Sequence, residues 1–180
     1  ICASKTKIMK SRKLIPFLTL CLIQMLSYAQ GTYEVKDSLF VHKPSLSGSG
    51  TWTVPEGVTS IKVECWGAGG SSLLENIGIL INSDLAGSGG GAYSSLILTT
   101  LSNQTFDYTV GITQIHGIDC SPTKFANLLL AESGKGATIN GPGLGGQSEN
   151  GIGEIRFSGG DGGLRIGGGG GSAFPYLDGE

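Results

Sequence analysis

Between Val58 and Gly70 the chain changes character in one step. Val58 to Trp66 alternates, with Ile61, Val63 and Cys65 on one face and Lys62, Glu64 and Trp66 on the other. That is the period of a half-buried strand. Gly67-Ala68-Gly69-Gly70 follows, where no side chain exceeds a methyl group. Packing of side chain against side chain cannot continue there, so backbone must meet backbone or solvent. Upstream, Thr51 to Val54 are β-formers and Pro55-Glu56-Gly57 is a tight-turn sequence. The reverse passage occurs at Gly87-Ser88-Gly89-Gly90-Gly91-Ala92-Tyr93, where glycine gives way to a strand.

The other strand signals are short and regularly spaced. Tyr93 to Thr100 is rich in Leu, Ile, Thr and Ser, Leu101 to Gln104 is a turn, and Thr105 to Val110 alternates. A pair of short strands is expected around Phe125 and Leu128-Leu129-Leu130. Short strands joined by turns, with no helical period outside the N-terminal region, predict an all-β antiparallel sandwich, jelly-roll-like in outline. Glycine supplies 32 of 180 residues, against a usual share of about 7%. Eighteen of them fall between Gly134 and Glu180, including Gly159-Gly160-Asp161-Gly162-Gly163 and Gly167 to Gly171. Collagen is excluded because glycine does not recur every third residue. Two readings stay open for these blocks: flexible linker, or polyproline-II segments packed side by side, whose backbone groups pair between segments.

The N-terminal region carries an address. Met9 to Lys13 is basic, Leu14 to Leu26 is apolar but for Pro16, Thr19 and Gln24, and Ser27-Tyr28-Ala29 offers a small residue for cleavage. Residues 9–29 are read as a signal peptide cut after Ala29, the apolar run being shorter than the ~20 residues of a membrane span. Residues 1–8 are an upstream leader given no structure. Residues 30–46 form a lead-in with one edge strand from Tyr33 to Val41, 47–133 the sandwich, 134–173 the glycine-rich segment of the same domain, and 174–180 a truncated tail. Ser71 to Ala86, apolar but for scattered polar residues, is read as an inserted loop over the core or as a partner patch.

Chemistry finds few footholds. A net charge of −2 and charged residues at 14% give no basic field for nucleic acid. Gly141, Gly143 and Gly146 match G-x-G-x-x-G, but no helix-forming stretch follows. Ser133-Gly134-Lys135 lacks the first glycine of a phosphate loop, Leu129 standing at that position. Past the signal the histidines are His42 and His116, and a Cys120–His116 pair is outweighed by an ordinary polar turn. Asp161 among glycines is a single aspartate and not a calcium repeat. No catalytic, metal or cofactor residue is nominated. Cys65 and Cys120 would form a disulfide in an oxidising compartment, or remain two buried thiols. Trp52, Trp66 and Tyr93 are the candidate ligand contacts if exposed, since aromatic rings stack on sugars; otherwise they are core.

The blocks Thr53 to Val58, Val63-Glu64-Cys65-Trp66-Gly67-Ala68-Gly69-Gly70, Gly87 to Tyr93, Tyr108 to Gly111 and Gly167 to Ala173 together resemble the bacterial glycine-rich domain of secreted and cell-surface proteins. A looser likeness runs to the glycine-rich region of anaplastic-lymphoma-kinase-type receptors and to phage tail-tip adhesins. The resemblance implies a sandwich whose loops are expanded into packed polyproline-II helices, on an extracellular protein without catalysis. The expected function is a non-enzymatic structural or adhesion module, with a carbohydrate-binding module of a larger extracellular protein as the alternative. The expected partners are surface glycans or surface proteins, with no nucleic acid and no membrane span once the signal is cut. Ser71 to Ala86 departs from the pattern, carrying only Gly78 where the family continues in glycine.

Overall fold

A computed structural model describes residues 5–10, 32–36, 39–43, 48–72, 86–114, 118–164 and 169–180. Among these residues ten strands form two antiparallel sheets: β1 Lys5–Lys10, β2 Thr32–Lys36, β3 Leu39–Lys43, β4 Gly48–Thr53, β5 Val58–Trp66, β6 Tyr93–Thr99, β7 Thr105–Val110, β8 Thr123–Phe125, β9 Leu129–Ala131 and β10 Ile155–Phe157. One sheet runs β10-β6-β5-β1-β3-β2 and the other β4-β7-β8-β9. The only helical turn among the described residues is the 3-10 turn Ser148–Asn150. No helix there is long and apolar enough to cross a membrane.

The sandwich follows from the alternation. Ile61, Val63 and Cys65 of β5 and Phe106, Tyr108 and Val110 of β7 join Trp52, Val54, Val58, Phe125, Leu129 and Ala131 in one buried cluster between the sheets. The turn into β5 closes as the sequence predicts: the Val58 amide donates to the Pro55 carbonyl (3.3 Å), and Gly57 takes φ 80°, a conformation that a side chain would oppose.

The strands differ from expectation at three places. The lead-in makes a hairpin and not one strand, β2 pairing β3 with Lys36 opposite Leu39. Asp37 and Ser38, both turn-formers, separate its two apolar runs. Lys5–Lys10, which spans the end of the leader given no structure and the first two residues of the signal sequence, lies between β5 and β3, with Ile8 opposite Ile61. β10, inside the glycine-rich region, pairs Phe157 with Tyr93 and so uses the edge that β6 would otherwise leave open. Apart from Met9 and Lys10, the signal sequence lies outside the described residues, as do residues 73–85 of the insertion.

Candidate functional site

The glycine blocks are built into the fold. Segment 87–92 runs through the middle, and 67–71, 132–137, 143–146, 158–163 and 169–173 surround it. All six of its carbonyls accept backbone amides: Gly87 from Gly143, Ser88 from Gly170, Gly89 from Gly70, Gly90 from Gly146, Gly91 from Ala173 and Ala92 from Gly67. Its own amides at Gly87 and Gly90 donate to Gly163 and Gly160, and those at Gly89 and Ala92 donate to Lys135 and Glu132. Partners therefore recur every third residue, the period of a polyproline-II helix, which has no internal hydrogen bonds and must find them in its neighbours.

The outer segments also bond to one another. Gly134 and Ala137 donate to Ala68 and Ser71, Lys135 to Leu144, Gly159 and Gly162 to Gly146 and Gly143, and Gly160 to Gly171. Around the centre, segments that donate to it alternate with segments that accept from it. The Ser88 and Gly91 amides face the remaining side, between 169–173 and 67–71, where no described residue accepts them.

Such packing demands missing side chains. A Cβ on Gly89 would collide with the Leu144 carbonyl, on Gly90 with that of Gly171, and on Gly91 with that of Gly67. Three consecutive glycines thus meet three different neighbours, as a threefold helix requires.

Polar side chains near the bundle bond to its backbone. Asp161 Oδ1 accepts from the Gly145 amide (2.7 Å) and Asp119 Oδ1 from that of Gly136 (3.2 Å). Glu132 Oε2 accepts from the Gln147 amide (2.7 Å) and the Asn150 side chain (3.0 Å), while its Oε1 lies 3.3 Å from Lys135 Nζ. Burial works against ionisation of Glu132, but the bonds from Asn150, Gln147 and Lys135 outweigh it and hold the carboxyl below its ordinary range. Burial likewise works against the Lys135 charge, and Glu132 with Asp119 raises its pKa nonetheless.

The predicted contacts separate. Trp52 belongs to the core at 3% exposure, 6.5 Å from Phe125 between ring centres, so its ring is not offered to a ligand. Trp66 and Tyr93 come together on the outer face of the other sheet, edge to face at 5.0 Å, with Phe157 6.3 Å beyond Tyr93. Tyr93 is 1% exposed and donates to Glu64 Oε1 (2.7 Å), which also accepts from Lys62 Nζ (2.8 Å). Burial, with the Glu64 carboxylate beside it, pushes the Tyr93 hydroxyl far above its usual pKa. Half-buried Trp66 and Phe157 are the rings of this group that retain surface. Phe157 was missed because a three-residue strand amid glycine gives no readable period.

No disulfide joins Cys65 to Cys120. Cys65 lies in the core, whereas the Cys120 thiol donates to the Gly69 carbonyl (3.0 Å) and accepts from the Gln114 amide (3.3 Å). His116 lies outside the described residues. Among the described residues, no three of His, Cys, Asp and Glu gather in a way that would hold a metal ion. Comparison with protein-family models, with curated proteins and with solved structures finds no match.

Proposed function

We propose that this chain is a non-enzymatic, secreted or cell-surface module serving as a stiff structural or adhesive element. The interlocked glycine segments carry the reading. A central segment whose six carbonyls are all bonded to its neighbours ties 67–71, 132–137, 143–146, 158–163 and 169–173 together, where free glycine would be a flexible coil. Export is supported by the basic and apolar run from Met9 to Ala29. Cleavage after Ala29 would remove β1 from its sheet. The test is to stretch the full chain between two handle domains of known unfolding force. The sandwich and residues 134–173 are expected to resist together and yield in one event. Extension of residues 134–173 without a force peak would overturn the proposal.

A second reading, a carbohydrate-binding module, is favoured by Trp66 and Phe157 on an outer sheet face with the Glu64 carboxylate nearby. Aromatic surface beside a hydrogen-bond acceptor suits a sugar. Retention of the chain on a glycan panel, lost on Trp66→Ala with the melting temperature unchanged, would support it. Absence of retention on every glycan would dispose of it.

A further inference from the structure

The opposite face of the molecule holds a second polar surface. With Phe106, Tyr108 and Val110 of β7 turned into the core, Thr105, Asp107 and Thr109 point outward. Lys124 of β8 lies opposite Thr109 and is likewise exposed. The turn after β8 brings Ala126 and Asn127 over the same strip. Together these residues line a groove of about 380 Å³, inside the roughly 300–1,000 Å³ range of small-ligand sites.

The groove is braced from two sides. From β4, Thr51 Oγ1 donates to Asp107 Oδ1 (2.9 Å) and the Ser49 and Thr109 hydroxyls bond at 3.0 Å, so two polar side chains of the groove are held in place. From the turn, the Ala126 amide donates to the Asp107 carbonyl (2.7 Å), with Ala126 at φ 47°, a region that a residue with a side chain seldom enters. Groups fixed before a ligand arrives reduce the ordering cost of binding it.

The lining selects among ligand classes. One carboxylate and one ammonium balance in charge, which disfavours polyanions and polycations alike. Two hydroxyls, a carboxamide, a carboxylate and an ammonium offer donors and acceptors side by side, and Ala126 adds a small apolar contact. Neighbouring hydroxyl groups on a neutral ring match that set. Resting on the carbohydrate-binding reading, but placing the site on the other sheet, we propose that the β7–β8 groove binds a neutral saccharide unit. Asp107 and Asn127 accept and donate to adjacent sugar hydroxyls, and Lys124 closes one end.

The test is titration of the isotopically labelled full chain with soluble oligosaccharides of glucose, mannose, galactose, xylose and N-acetylglucosamine, followed by amide chemical shifts. Saturable shifts centred on Asp107, Lys124 and Asn127 are expected for one sugar class. Asp107→Asn and Asn127→Ala, both exposed, should each weaken binding about tenfold while melting normally. Ile97→Thr, on the other sheet, should leave affinity unchanged. Binding that survives both groove substitutions and is lost on Trp66→Ala would place the sugar on the aromatic face, overturning the groove but not the carbohydrate-binding reading. No saturable shift with any sugar would overturn both.

Discussion

A single methyl group separates the two kinds of glycine in this chain. At Gly90 an added Cβ would run into the Gly171 carbonyl, while at Gly169 its nearest neighbour would be the Ser88 oxygen at 3.5 Å, an ordinary contact. Gly90→Ala is therefore expected to cost about 3 kcal/mol or more, since the clash is with backbone that cannot rotate away. Gly169→Ala should stay within about 0.5 kcal/mol of the parent. Chemical denaturation of both variants checks the pair; equal effects would mean that the glycines are not closely packed. The run Gly89-Gly90-Gly91 signals that backbones approach here, but which carbonyl meets which glycine depends on Leu144, Gly171 and Gly67, each more than 20 positions away in the chain. The tryptophans were partly legible. Trp66 stands on the face of β5 opposite Cys65, hence outside, whereas Trp52, between Thr51 and Thr53, could be placed inside only once β4 was paired with β7.

Glu132 links the central segment, its own segment and the 3-10 turn. Its carboxylate reaches the Gln147 amide, Asn150 and Lys135, and its backbone carbonyl takes the Ala92 amide. With the folded pKa of Glu132 below its unfolded value, this contribution is present above the unfolded value and lost as pH falls through the folded one. The raised pKa of Lys135 acts at the other end: its contribution is full below the unfolded value and lost only as pH rises through the folded one. Melting temperature should thus fall in acid, and Glu132→Gln should remove part of that fall, the two proteins differing most near neutral pH and converging as the pH falls below the ordinary carboxylate range. A constant difference across that range would count against the ionised contacts. Nothing in the sequence singled out Glu132, because its partners lie in a turn and a glycine segment without periodicity. Strands β5 and β7 were readable from their alternation, and β6 from its content of Leu, Ile, Thr and Ser. β10 was not, since Ile155-Arg156-Phe157 becomes a strand only by pairing with β6.

The sandwich and the glycine segments share their boundaries. β5 runs directly into 67–71, 87–92 runs directly into β6, and β9 runs directly into 132–137, so the strands set the ends of the bundle and the bundle fixes the spacing of the strands. Ordering so much glycine is entropically costly, and only many simultaneous bonds between segments offset it. Composition left two outcomes open, linker or bundle, because the balance depends on bonds between segments that no local pattern reveals. Amide hydrogen exchange on the full chain, resolved by residue, decides between them. The amides of Gly70, Gly89, Gly90, Gly134, Gly143, Gly146 and Gly160, all bonded between segments, should exchange as slowly as those of β5 and β7, since opening any one requires the bundle to open. Exchange of these glycines at the rate of an unstructured chain, with β5 and β7 still protected, would show a sandwich carrying loose glycine loops and would contradict the bundle.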